Sequence, residues 1–324
     1  MNPFRILTGT FLLAITLMLS PAFGQQPADI ARYALPDKVG GLEVRLGNFQ
    51  VRGVSLRPDG SGIQIGAADK DGGMVTIFVQ LSDGPGGATA CRAKWWPETR
   101  DSFVKKTNAK LVGVTQYELN DVAIVEYRIP EFQGKPVNQS IIHTYYAGGD
   151  IWAEVHLSRM GDVQPLKTFL SRVKILPDYK PRAMEYLEFG SARYEEHDYA
   201  NAAKYYQHAL DLHNGGDTLA PVLWKVLVDN LGMSYGISGD NERAQKVFLA
   251  GIQQDPSYPM FYYNLACADA GMNDLDGALE NLKKAHEHKA NMLPGESLPD
   301  PKTDDSFTKY ANDPKFQAAA RSFN

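Results

Sequence analysis

One stretch of sequence returns three times between residues 183 and 292, and that return constrains the chain more than anything else in it. Gly190 and Gly232 lie 42 residues apart, and Ala266 follows 34 later. Four other columns keep both spacings: Tyr206/Phe248/Leu282, Asp198/Asp240/Asp274, Ala202/Ala244/Ala278 and Ala209/Gly251/Ala285. These are three copies of a 34-residue unit, 183–216, 225–258 and 259–292, with eight extra residues between the first two. A period in this range belongs to arrays of stacked helical units.

Each copy reads as two helices joined at a turn, His197-Asp198, Gly239-Asp240 or Asn273-Asp274, where the Asp caps the second helix. Small residues at 190/232/266 and 202/244/278 let the paired helices approach. The aromatic or Leu at 206/248/282 fills the space beside them. On these residues, with Tyr186, Tyr262-Tyr263-Asn264-Leu265 and Pro256, the chain resembles a tetratricopeptide repeat (TPR) protein of the secreted or periplasmic bacterial type. Arg193 and Asp269 depart from the family, which prefers an aromatic there, and only copy two has the closing Pro.

The amino end has the order of a secretory signal. Arg5 supplies charge, Phe11 to Leu19 an apolar run, and Ala22-Phe23-Gly24 a small-x-small cleavage site, so 1–24 is expected to be removed. That reading places the mature protein in the periplasm or outside the cell. With 44% apolar and 22% charged residues, the remainder has an ordinary soluble composition. From residue 177 onward there are 22 acidic and 14 basic side chains, which argues against nucleic acid as a partner. Two cysteines, Cys91 and Cys267, make neither a disulfide framework nor a metal quartet.

Residues 28–176 read as a separate α+β domain, mostly antiparallel sheet with two helices. Strand-like runs fall at 42–57, 62–68, 74–81, 111–118, 122–129, 137–147 and 150–158, punctuated by turn residues. One helix is expected from Pro97 to about Lys110, with Phe103 and Val104 inward, and another over about 162–174. The layout is similar to the PsbP-like sandwiches of some secreted proteins, although no short motif carries the likeness. A linker at 177–182, with Pro177 and Pro181, separates this domain from the repeats. Beyond 292, a Pro/Gly/Asp loop leads to Asp313-Pro314-Lys315-Phe316. This is an N-cap followed by Pro at the first helical position, and 293–324 reads as loop plus capping helix.

The usual catalytic signatures are absent: no G-x-S-x-G, no phosphate-cradling glycine loop, no H-E-x-x-H and no C-x-x-C. One constellation stands out. If Gly148-Gly149 makes the hairpin turn, His143 opposes Glu154, Tyr145 opposes Trp152 and Ile141 opposes His156, all on one face. His143, Glu154 and His156 are the candidate metal ligands. Because Ile151, Ala153, Val155 and Leu157 make the opposite face look like core, the polar face reads more simply as solvated, with no cofactor.

The TPR resemblance implies a better site. In that family the first helices line a groove for extended peptides or partner helices. By position it would hold Leu187, Glu188 and Tyr194, then Asp229, Asn230 and Met233, then Tyr263 and Asn264. Asn230 and Asn264 match positions where some members bind a peptide backbone; Leu187 and Met260 stand where a Lys/Arg carboxylate clamp would need charge. The expectation is therefore a non-enzymatic interaction scaffold with a protein or peptide partner. The alternative is an enzyme or small-ligand or metal-binding domain in 28–176, recruited through the repeats. Amino-terminal sequencing of the mature protein is expected to begin near Gln25, and an intact Met1 would remove the export reading.

Overall fold

The computed structural model describes residues 30–57 and 60–322. The export segment lies outside them, as do Pro58 and Asp59 of one expected turn and Phe323 of the terminal apolar face. The described residues form two compact units that divide between Pro181 and Arg182.

The first unit contains two antiparallel sheets. The smaller has the order β1-β2-β10, from Ile30–Ala34, Gly41–Arg45 and Val173–Leu176. The larger has the order β3-β4-β5-β9-β8-β7-β6. Its strands are β3 (Gln50–Leu56), β4 (Gly62–Ala68), β5 (Met74–Leu81), β6 (Val112–Leu119), β7 (Val122–Phe132), β8 (Lys135–Gly148) and β9 (Ile151–Met160). The expected run 42–57 is thus two strands in different sheets, broken at Gly47-Asn48, and β1 and β10 were not anticipated. The helix expected over about 162–174 does not reach Val173. Helix α2 spans Gln164–Leu170, and Val173 pairs with Val44 instead.

Helix α1 (Ala88–Thr107) begins nine residues before Pro97, which sits inside it. Proline removes one intrahelical bond and crowds the preceding turn. The helix nevertheless continues, because Ala88, Cys91, Trp95 and Trp96 bury one stripe against β7, β8 and β9. Phe103 packs at the edge of this cluster, whereas Val104, expected inward, is exposed. On the opposite face Ile77, Val155, Ala153, Leu157 and Ile142 are fully buried, so the central strands of the large sheet are covered on both sides, whereas β6 is exposed along its length.

The second unit is made of helix pairs. They are α3 (Ala183–Glu195) with α4 (Tyr199–Asn214), α5 (Pro221–Ile237) with α6 (Asn241–Gln254), and α7 (Pro259–Gly271) with α8 (Leu275–Glu287). Each pair packs on the next, and first helix also meets first helix, α3 with α5 and α5 with α7. All three turns are built alike. His197, Gly239 and Asn273 take positive φ, and the following Asp accepts a backbone N–H, Asn201, Arg243 or Gly277, as N-cap. The eight extra residues become a short loop and an added first turn of α5, opened by Pro221. After α8, a 3₁₀ turn (Asp305–Tyr310) packs on α7, and α9 (Pro314–Ser322) packs on α8 with Phe316 and Ala320 buried. Among the described residues no helix is long and apolar enough to cross a membrane.

The glycine column is explained by its neighbours. A Cβ on Gly190 would collide with the ring of Tyr206, and one on Gly232 with the ring of Phe248. Copy three has the smaller Leu282 in that place and accordingly tolerates Ala266. Overpacking costs about 1–3 kcal/mol against roughly 1 kcal/mol of helix propensity gained. Gly232→Ala is therefore expected to lower the stability of the mature chain in urea unfolding, and the pair Gly232→Ala/Phe248→Leu to recover part of the loss.

Candidate functional site

The first helices carry the residues expected to line a groove, and the structure places them in a chain of bonds linking one copy to the next. Tyr206 of copy one donates its hydroxyl to Ser191 Oγ at 3.2 Å and accepts from Asn230 Nδ2 of copy two at 3.2 Å. Asn264 Nδ2 of copy three donates to Asp229 Oδ1 of copy two at 2.6 Å. Tyr263 donates to Asp304 Oδ2 at 2.8 Å and meets Phe307 edge-on. Leu187, Asn230, Met233, Tyr263 and Asn264 are buried, Tyr194 is half-buried against Tyr199, and Glu188 is exposed.

Two features of this face were not legible in the sequence. The loop after α8 returns to the first helices, where Tyr258 donates to the Glu296 carboxylate at 2.8 Å. Burial then pushes the Asp229 carboxyl up to about 8, helped by nearby Glu296 and opposed by the Asn264 bond. Asp229 therefore holds its proton at neutral pH and bridges copies two and three as a neutral acid. Second, Asn230 Oδ1 is buried without a partner, although its Nδ2 is bonded. The two family departures are also accounted for locally. Asp269 accepts from Gln245 and Asn281, and buried Arg193 pairs with Glu196.

The polar face of the large sheet differs from expectation in register and in environment. Gly148 pairs with Ile151, so the turn is Gly149-Asp150, one residue later than expected. Asp150 is held there by Val39, which exchanges backbone and carboxylate bonds with it at 2.6 and 3.0 Å. His143 consequently opposes His156, and Tyr145 opposes Glu154. Because the shift is two in the pairing sum, the same residues still share a face. That face is not solvated. Helix α1 covers it, and His143, Glu154, Tyr145 and Trp152 are buried.

His143 is bonded at both nitrogens, Nδ1 to Glu154 Oε1 at 2.5 Å and Nε2 to the Tyr127 hydroxyl at 3.1 Å. The His156 ring stacks on it with centroids 4.4 Å apart and 9° between planes. Rings stacked face to face do not aim two nitrogens at one point, and His143 has none to give. Among the described residues no group of three His, Cys, Asp or Glu side chains is arranged to hold a metal ion. His156 Nε2, Tyr145 Oη and Trp96 Nε1 are buried without partners. Burial raises the Cys91 thiol and the Tyr127 and Tyr145 hydroxyls, with Glu154 adding to each. These groups stay protonated and are not activated nucleophiles or bases.

No family model and no curated protein matches the chain. Among solved structures it is similar to the Sgt2 TPR domain from Aspergillus fumigatus, at 21% identity and TM-score 0.32 over 45% of this chain and 89% of that one. It is similar also to PcrH in complex with the chaperone binding region of PopB, at 20% identity and TM-score 0.31 over 44% and 94%. A third is cyanobacterial PsbP from Synechocystis, at 16% identity and TM-score 0.34 over 47% and 96%. The helical unit is TPR-like. Its three capped turns and its glycine–aromatic columns carry that statement, within a unit that begins at Arg182.

Burial, with His143 adding to it, holds His156 well below the ordinary histidine range. As pH falls below about 6.5 the unfolded chain takes up a proton there that the folded chain refuses, so stability falls by up to about 1.4 kcal/mol per pH unit. His156→Phe, which keeps a ring on His143, is expected to flatten that part of the urea-unfolding pH profile relative to wild type.

Proposed function

We propose that the chain is a non-enzymatic interaction scaffold of the periplasm or cell exterior, whose TPR solenoid binds a partner segment along its first helices. The observation that carries this reading is the open acceptor on Asn230. A buried carbonyl oxygen without a partner costs about 1–3 kcal/mol and asks for an occupant. Asn230, Met233, Tyr263 and Asn264 are buried, so a backbone N–H of an extended segment would reach that acceptor by displacing the contacts that cover these side chains. The face also has aromatic, apolar and amide character side by side, which suits backbone bonds combined with side-chain pockets.

The chain itself supports the reading, because residues 296–307 already lie against the third copy through Glu296, Asp304 and Phe307. A partner that engages Tyr263 does so by displacing these contacts or by extending along α5 from them. With Leu187 and Met260 in place of clamp residues, the face offers no basic group to an acidic segment, so a neutral or basic segment is preferred.

Co-purification with crosslinking from the native cell would identify the partner, and two variants then test the site. Asn230→Ala removes the open acceptor and is expected to weaken partner binding about tenfold or more. Tyr206→Phe removes the internal acceptor of the Asn230 amide, together with the hydroxyl's bond to Ser191, but keeps the open acceptor, and is expected to leave affinity within about twofold. Equal effects of the two, measured by titration on folded protein, would mean that the Asn230 acceptor is structural and that the partner binds elsewhere.

A further inference from the structure

The sheet unit contains a small pocket that the interaction reading does not use. It lies where four connections meet: the β2–β3 turn (Asn48, Phe49), the β4–β5 turn (Asp69, Gly73), the end of β9 (Arg159), and α2 with its exit (Leu166, Phe169, Arg172). Its volume is about 210 Å³, below the ~300–1,000 Å³ of sites for drug-sized ligands. The occupant is therefore small.

The walls have two kinds of chemistry. Phe49 and Phe169 meet edge-on at 5.3 Å, and Phe169 and Leu166 are buried, which gives an apolar floor. Arg159 and Arg172 supply the charge. Arg172 is held by its backbone, donating to Phe169 O and accepting from Arg45 N, both at 2.9 Å. Its guanidinium lies 5.9 Å from the Phe169 ring centre and runs beside Gly47, where a Cβ would touch Nη1. Gly47 has φ of 59°, so a residue with a side chain is disfavoured there twice over. No carboxylate among the described residues pairs with Arg172.

Arg159 is nearly as free. Its one acidic neighbour is Asp69, with Nη1 to Oδ2 at 3.7 Å, beyond hydrogen-bond length. Asp69 is instead engaged by the backbone, its Oδ1 accepting from Asp71 N at 2.9 Å and Gly73 N at 2.7 Å. Two guanidiniums against one carboxylate leave the pocket one positive charge in excess, within a chain whose formal net charge is −5. Solvated surface arginines have no need of such placement. A positioned, unpaired guanidinium over an aromatic floor is the arrangement that receives a carboxylate with its two-pronged donors.

We propose that this pocket is a binding site for a small monocarboxylate bearing an aromatic or branched apolar group. The carboxylate lies between Arg172 and Arg159, and the apolar part rests on Phe49 and Phe169. A single charge matches the excess in the pocket, whereas a phosphate dianion would leave a negative charge facing Asp69. The site is separate from the first helices, so it stands or falls independently of partner binding.

The test uses the mature full-length protein, with benzoate as probe and benzamide as its uncharged counterpart. Amide chemical shifts are followed by two-dimensional NMR. Benzoate is expected to saturate with a dissociation constant in the millimolar range, about 1 mM, moving resonances of 47–49, 69–73 and 165–172. Arg172→Gln and Arg159→Gln should each weaken it about tenfold, and benzamide should not bind. The proposal is overturned if benzoate does not saturate, if benzamide binds equally well, or if both variants bind within about twofold of wild type. Should Arg172→Gln fail to fold, Arg159→Gln decides the matter alone, because the one contact it loses is the 3.7 Å ion pair with Asp69, whose Oδ1 stays held by the Asp71 and Gly73 N–H groups.

Discussion

The helical unit depends on how closely two helices can approach inside each pair. Gly190 and Gly232 let the rings of Tyr206 and Phe248 lie against bare backbone, and Ala266 does the same for the smaller Leu282. That approach sets how each second helix lies on its first, and so where the next first helix must pack. The inter-copy bonds follow from it. Tyr206 can receive Asn230, and Asp229 can receive Asn264, only because successive first helices are brought side by side. The capped turns contribute less energy but set the angle, since a positive-φ residue and an Asp N-cap recur in the same order at all three.

Much of this was legible because it is written in local pairs of residues. Column spacing identifies the copies, and Asp198, Asp240 and Asp274 are caps by chemistry alone. The size exchange between Gly/aromatic and Ala/Leu can be read without coordinates. Long-range placement was not legible. Nothing near Glu296 says that it returns to Tyr258, nor anything near Asp304 that it meets Tyr263, because these contacts join residues about 40 apart. Their consequence, a protonated Asp229, depends on burial that no local pattern encodes.

The sheet unit shows the same division. Alternation identified most strands and assigned Ile151, Ala153, Val155 and Leu157 correctly to a core face. It assigned the other face to solvent, since His143, Tyr145, Glu154 and His156 look polar on paper. What covers that face is α1, some fifty residues earlier in the chain, and Pro97, which by sequence alone reads as a helix start, hides its true beginning at Ala88. The spacing of Ala88, Cys91 and Trp95 was the available signal. The pairing error is subtler. Val39, remote in sequence, binds Asp150 and moves the turn by one residue, which changes every partner while leaving every face intact.

The two units use buried polar groups in different ways, and the difference bears on function. Under α1 the Glu154–His143–Tyr127 chain is bonded within itself and covered by the Trp96 ring. Burial holds the Tyr127 and Tyr145 hydroxyls and the Cys91 thiol protonated, which fits a bonded polar core. The open atoms there, on Trp96, Tyr145 and His156, belong to rings held by stacking. Asn230 is different, because its donor is engaged and its acceptor is not. A half-satisfied amide in an otherwise bonded ladder is hard to justify by packing alone, since Leu would fill the position without the desolvation cost. That asymmetry, more than the repeat itself, is what makes the first-helix face the better candidate for recognition.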